Sequence, residues 1–275
     1  MGRDDELQPA LPTTETRRRF LVPRSRRLTC DVLHFHRQVP LCPHHRLFHL
    51  GPLELVRKSV PTRISWPVLF LKAYGLLARE VPVFRQTWMS FPWPHIYQHE
   101  TSVGMLAVQR EHQGESWLFW GRFVAPEETS LLDLQKQLDA YQTAPVQQMF
   151  KQFLRLSSVP NPFRRFLWWI HMQLHGPLRA RRVGTFFLST LSSLGAEIVM
   201  PPSFQTGVVT YGPIDSHGHS RVTLAYDHRL MDGQLVANSL VRLQAILTGV
   251  LAEELQAMLP VEPAKSVESP IPPSR

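Results

Sequence analysis

Cysteine is nearly absent from this chain. Cys30 and Cys42 are the only two among 275 residues. Two thiols cannot make a disulfide framework, so both are expected to be free in a reducing compartment. Lysine is scarce too. It stands only at positions 58, 72, 136, 151 and 265, so arginine carries most of the formal charge of +8. No run of about 18 apolar residues occurs, and no transmembrane helix is expected. The opening MGRDDELQPALPTTETRRR has no apolar stretch of the signal-peptide kind. These absences lead to the expectation of a cytoplasmic protein.

Nucleic-acid signatures are also missing. There is no basic run interleaved with aromatics, no zinc-finger spacing and no helix-turn-helix pattern, so no nucleic-acid partner is expected. The positive charge suits a polyphosphorylated small ligand equally well. His34, His36, His44, His45 and His49 crowd around Cys42. Their spacing matches no common zinc pattern, and no metal is expected.

What is present is a large apolar fraction, 43%, enough for a sizeable core. Residues 1–23 and the Pro/Ser-rich residues 257–275 are expected to be disordered tails. Residues 24–256 read as one domain. SWPVLFLKAYGLLARE (65–80) is the clearest amphipathic helix, with Ser65 as N-cap and Pro67 in the first turn. DVLHFHRQV reads as a short helix and RLFHLG as a strand. SVGMLAVQRE and SWLFWGRFVA read as two strands joined at His112-Gln113-Gly114. TSLLDLQKQLDAY carries apolar residues at 131, 134, 138 and 141, which is helical spacing. VGTFFLST, TGVVTYGPI and SRVTLAYD read as strands. GQLVANSLVRLQAILTG is the closing helix, stopped by Gly249. This mixture predicts an α+β layered fold.

The stretch YDHRLMDG, Tyr226 to Gly233, places His228 where an apolar strand ends and a helix begins. A histidine at a strand end, facing a cleft, serves as a general base near pH 7. The plain alternative is a partly buried histidine that satisfies one hydrogen bond. Asp232 is placed to cap the helix, or to bind an arginine and brace the loop that holds the ring.

VTLAYDHRLMDGQLVANSLVRLQAIL resembles the end of the catalytic domain of the dihydrolipoyl acyltransferases of 2-oxo acid dehydrogenase complexes, in which a strand leads into DHRxxDG and the last helix. Chloramphenicol acetyltransferases and peptide-synthetase condensation domains carry a related HHxxxDG. Asp227 stands where those have a first histidine, which points to the dehydrogenase-complex branch. GTFFLSTLSSLGAEIVMPPSFQTGVVTYGPI (184–214) resembles the family's GTFTISxLG…PP…AILGVG segment. ISWPVLFLKAYGLLAREVPVFRQTW is similar to the family's helix before a strand, without the family's asparagine. The resemblance spans most of residues 25 to 255.

It implies a chloramphenicol acetyltransferase-like two-layer α+β fold, a mixed β-sheet with helices packed on one face. It implies a transferase that moves an acyl group between acyl-CoA and a thiol or hydroxyl acceptor. His228 would be the general base and Ser189 the oxyanion donor, with no acyl-enzyme. Asp232 would be structural, paired with Arg26 or Arg27. It implies a homotrimer in which His228 and the serine of one site come from neighbouring subunits. Coenzyme A would enter as substrate, with an unidentified small or carrier-bound acceptor.

The chain also departs from the family. It has no lipoyl lysine in a DKA-like context, so no covalent lipoyl group is expected, and the chain reads as a stand-alone member. The family's SDGLIVPVI strand is replaced by QREHQGESWLFWGRFVAP, which implies an altered substrate channel. The insert SVPNPFRRFLWWIHMQLHGPLRARR (158–182) is aromatic and basic, with apolar residues at 163, 166, 167, 170 and 174. A helix lying over the acyl pocket is the preferred reading, ahead of a membrane-surface helix over 163–175. The rival for the whole chain is a catalytically idle relative serving as a trimeric scaffold or binding protein. Retention of His228, Ser189 and Asp232 argues against it.

Overall fold

The structure, a computed structural model, describes residues 19–260. The tail expectations for 1–18 and 261–275 lie outside the described residues. The first half contains α1 (Arg24–His36), β1 (Leu41–His49), α2 (Gly51–Ser59), α3 (Trp66–Glu80), β2 (Gln86–Met89), β3 (His95–Gln98), β4 (Val103–His112) and β5 (Glu115–Val124). Five helices follow: α4 (Leu131–Thr143), α5 (Val146–Met149), α6 (Lys151–Ser158), α7 (Asn161–Gln173) and α8 (Gly176–Val183). The chain then forms β6 (Phe186–Ser189), β7 (Gly207–Tyr211), β8 (His219–Asp227), α9 (Gly233–Thr248) and α10 (Val250–Gln256).

Six strands make one mixed sheet in the order β1-β8-β7-β6-β4-β5, and β2 and β3 pair separately. β6 runs parallel to both β4 and β7, and the other neighbours are antiparallel. The β4–β5 hairpin turns where the sequence placed it, with Gln113 and Gly114 both in the left-handed region at φ 54° and 74°. Two such residues match the twist of the flanking strands.

Alternation along β8 sorts its side chains onto two faces. Val222, Leu224 and Tyr226 enter the main core with Leu188 and Val209. α3 and α9 cover that face, and every residue of α3 from Val68 to Ala78 is buried. Tyr74 stacks on Phe186 at 4.0 Å and Phe70 on Tyr211 at 4.3 Å. The α+β fold with a mixed sheet is thus present, and the insert adds partial cover on the opposite face. There Ala180 of α8 packs with Met105, Phe187, Val208 and Ala225. Trp168 and Met172 of α7 pack with Val32 and Phe35 of α1 and with Phe204. Arg164 is buried in an ion pair with Asp31, with Nη2 donating at 3.2 Å to Oδ1.

Three sequence expectations need correction. α2 was not anticipated; its Pro52 occupies the helix's first turn, where its missing N–H costs nothing. Gly249 ends α9 as expected, but α10 resumes at once. Together Gly233–Gln256 is long and apolar enough, by length and composition, to cross a bilayer. Polar Gln234, Asn238 and Arg242 hide this from a search for continuous apolar runs, while Val236, Leu240, Leu243, Leu247, Leu251 and Leu255 are packed in the core. The third correction concerns α7. Phe163, Phe166, Leu167 and Leu174, expected to lie over an acyl pocket, are exposed, and the buried face of the helix is Arg164, Trp168 and Met172.

Candidate active site

His228 is the first residue after β8, and its side chain is exposed. The turn that presents it is tied down on both sides. Its own N–H donates to the Pro40 carbonyl at 3.1 Å, and the Asp227 N–H donates to the Thr206 carbonyl at 3.0 Å. Asp227 is buried and accepts from Arg229 through Nε at 2.8 Å and Nη2 at 2.6 Å. The Arg229 N–H also donates to Asp227 Oδ1 at 3.1 Å. This two-pronged pair fixes the residues immediately before and after the histidine, with the geometric specificity of a guanidinium–carboxylate fork. Arg229 also lies 5.4 Å above the Trp88 ring.

A second guanidinium belongs to this surround. Arg179 is buried and donates to the carbonyls of Met172 and Phe204. Burial lowers its pKa to about 10, repulsion from Arg229 adds to that, and Asp227 opposes it. Asp227 therefore carries the negative charge that makes two nearby arginines tolerable. On the other side the Tyr226 ring lies 5.4 Å from both His228 and His44. The Tyr226 hydroxyl is buried without a hydrogen-bond partner. Burial, then the neighbouring Cys42 and Asp232, pushes it up to about 12. A Cβ on Gly233 would stand 3.2 Å from the His44 ring. A glycine after Asp232 thus leaves room for His44.

Asp232 occupies the N-cap position of α9, but its side chain makes no capping hydrogen bond and is exposed. Nor does it pair with Arg26 or Arg27: the Arg27 guanidinium donates to the Ser157 carbonyl at 3.4 Å, and Asp232 is in none of the ion pairs among the described residues. The bracing role expected of Asp232 is filled by Asp227 and Arg229. Their i, i+2 spacing within DHR was the available signal.

Ser189 closes β6 and is 8% exposed. In the sheet it sits beside Thr210, which sits beside Thr223. All three hydroxyls stand in one row, and the Thr210 hydroxyl is buried without a partner. His228 lies five positions beyond Thr223, two strands over. At about 3.3 Å per residue and 4.8 Å per strand, the Cα atoms of Ser189 and His228 are roughly 19 Å apart. One thioester carbonyl cannot touch both within a single chain. Among the described residues no three His, Cys, Asp or Glu side chains gather as a metal site.

No family model matches the sequence, and no curated protein matches it. Solved structures do match. A probable dihydrolipoamide acetyltransferase from Listeria monocytogenes aligns with a TM-score of 0.61 at 14% identity, covering 85% of this chain and 95% of that one. The catalytic core of a 2-oxoacid dehydrogenase multienzyme complex from Thermoplasma acidophilum aligns with a TM-score of 0.60 at 12% identity, covering 84% and 98%. The dihydrolipoamide acetyltransferase of Azotobacter vinelandii aligns with a TM-score of 0.58 at 18% identity, covering 89% and 99%. The chain therefore has the fold of the dihydrolipoamide acetyltransferase catalytic core.

Proposed function

We propose that the protein is a CoA-dependent acyltransferase that works as a homotrimer, with each active site shared between two subunits. The observation that carries this reading is His228, exposed on a turn held by the Asp227–Arg229 fork, at the strand end of an acetyltransferase fold. The solved Azotobacter vinelandii enzyme offers a parallel: a serine, a histidine and an asparagine four residues after the histidine have been investigated for their role in its mechanism. This chain carries Ser189, His228 and, four residues after His228, Asp232.

His228 accepts the proton of the acceptor thiol or hydroxyl through its unprotonated ring nitrogen. The resulting nucleophile attacks the thioester carbonyl carbon of acyl-CoA. The Ser189 hydroxyl of a neighbouring subunit donates to the oxyanion. Collapse breaks the carbon–sulfur bond, and the departing CoA sulfur takes the proton from His228. The base contributes about 10²–10⁴-fold and one oxyanion donor about 10²–10³-fold. The wide separation of Ser189 and His228 within one chain is the reason for placing the site between copies, and a cleft between subunits encloses a long CoA-like ligand without a second domain.

The test is release of CoA thiol from acetyl-CoA in the presence of dithiol and alcohol acceptors. His228→Ala is expected to lower the rate by about 10²-fold or more with the fold intact. Wild-type turnover in that variant would remove the mechanism. A purified wild type inert toward every acyl-CoA offered, yet trimeric, would favour a scaffold.

A further inference from the structure

The outward face of α7 is as apolar as its inward one. Phe163, Phe166, Leu167, Ile170 and Leu174 fall within an arc of roughly 100° on a helix of 3.6 residues per turn. Phe163 is 66% exposed and Phe166 59%. The loop between β2 and β3 widens this face. Its Ser90 N–H and hydroxyl both donate to Gln173 Oε1 of α7, at 2.8 and 3.1 Å. That anchor sets Phe91 against Trp169, with ring centroids 5.3 Å apart. Trp93, in the same loop, is 71% exposed. Phe166 in turn stacks on Trp169. Phe91, Trp169 and Phe166 thus form a contiguous aromatic cluster, flanked by exposed Phe163 one turn earlier on α7 and by Trp93 in the loop, and such patches mark interaction sites.

The charge around it has one sign. Between Asp139 and Glu197 the chain has no acidic residue, while it carries Lys151, Arg155, Arg164, Arg165, Arg179, Arg181 and Arg182. Arg164 and Arg179 are buried; Lys151, Arg155, Arg181 and Arg182 are exposed. Arg182 reaches α6 through Gln152 at 2.7 Å, and its charge acts on His171 of α7. The carboxylate facing α7 is Asp31, and Arg164 and Arg165 occupy it. A face of phenylalanine and tryptophan among uncompensated arginines is repelled by a symmetric copy of itself and is complementary to a negatively charged, apolar-cored surface.

We infer that α7 and the 90–94 loop dock on an anionic lipid bilayer, with Phe163, Phe166 and Trp93 entering the headgroup boundary and the exposed Arg181 and Arg182 of α8 meeting lipid phosphates. Aromatic rings belong at that boundary, where one end is apolar and the other wet. An amphipathic helix buried there draws on both apolar area and attraction to anionic lipid.

The experiment is flotation of the full chain with vesicles of mixed phosphatidylcholine and phosphatidylglycerol, and with vesicles of phosphatidylcholine alone, at low and high salt. Wild type is expected to float with the mixed vesicles, less so at high salt, and tryptophan emission is expected to shift to the blue. Phe163→Ser and Phe166→Ser alter exposed positions and keep the fold. Each is expected to weaken partitioning about tenfold or more, the equilibrium worth of burying one such side chain, with unchanged mass by light scattering. Absence of flotation with mixed vesicles at low salt would overturn the inference. So would wild-type flotation of the double variant, which would place the binding elsewhere. A double variant smaller in mass than wild type would assign the face to a contact between copies and overturn it as well.

Discussion

Arg229 and Asp227 form a bidentate pair across the residue that separates them, His228, with Nε and Nη2 at 2.8 and 2.6 Å from the carboxylate. The geometry makes the histidine the tip of a staple. The fork acts together with the backbone bond from the His228 N–H to the Pro40 carbonyl at 3.1 Å.

Replacing Arg229 by Lys keeps the charge but loses the fork, since an ammonium cannot bind both oxygens in a fixed plane. Arg229→Lys is expected to lower kcat/KM about ten- to a hundredfold, as a displaced catalytic ring does, with a small change in melting temperature. Full activity in that variant would show that the staple is not needed. Asp227→Ala is expected to be worse in stability, because it leaves Arg229 and the buried Arg179 without their carboxylate.

The pair Asp31–Arg164 holds α7 to α1, and both side chains are nearly inaccessible. Removing one partner strands a buried charge, so Asp31→Ala is expected to cost about 3–5 kcal/mol. Urea midpoints measure it. The double change Asp31→Leu, Arg164→Met is expected to recover most of the loss, because a packed apolar pair has no charge to desolvate.

Tyr74 and Gly207 show how closely the α3 layer approaches the sheet. A Cβ on Gly207 would lie 2.1 Å from the Tyr74 hydroxyl oxygen, which itself has no hydrogen-bond partner. Gly207→Ala is expected to destabilise by about 1–3 kcal/mol through overpacking. Tyr74→Phe removes a buried unpaired hydroxyl and is expected to be neutral or stabilising. Gly207→Ala in the Tyr74→Phe background is expected to lose less. Equal losses in both backgrounds would contradict the contact.

His99 gives a dependence on pH. Burial first, then the charge of Arg179, lowers its pKa to about 4. In the unfolded chain a histidine titrates at about 6.5. A depressed folded value means that the unfolded state binds the proton more readily. The contribution is whole above about pH 6.5 and is lost as pH falls toward about 4. His99→Gln, which can still meet Thr87, is expected to flatten the fall in melting temperature across that window relative to wild type. Parallel curves would show that His99 titrates alike in the folded and unfolded protein, contradicting the lowered value.

The strands and long helices were legible because alternation and 3.6-residue spacing report burial directly: β8, the β4–β5 hairpin and α3 stand where the pattern put them. The position of His228 was legible for the same reason, since the apolar alternation stops at Tyr226. α7 was misjudged because its two apolar faces give one periodicity, and spacing does not say which face turns inward; the partner that decided it, Asp31 of α1, is more than a hundred residues away. Asp232 was expected to cap the helix or, by the family resemblance, to pair with Arg26 or Arg27, while the shorter-range fork of Asp227 and Arg229 needed the turn's geometry. The separation of Ser189 from His228 depended on strand order, which no local pattern carries.

Mixing subunits tests whether a neighbouring copy closes that separation. His228→Ala and Ser189→Ala proteins, each expected to be nearly inactive, are combined in equal amounts, dissociated and reassembled. In a closed ring every mixed trimer regains one intact site, so about a quarter of wild-type activity is expected to return. No recovery in mixed trimers of confirmed mass, or an active wild type that is monomeric by light scattering, would contradict a shared active site.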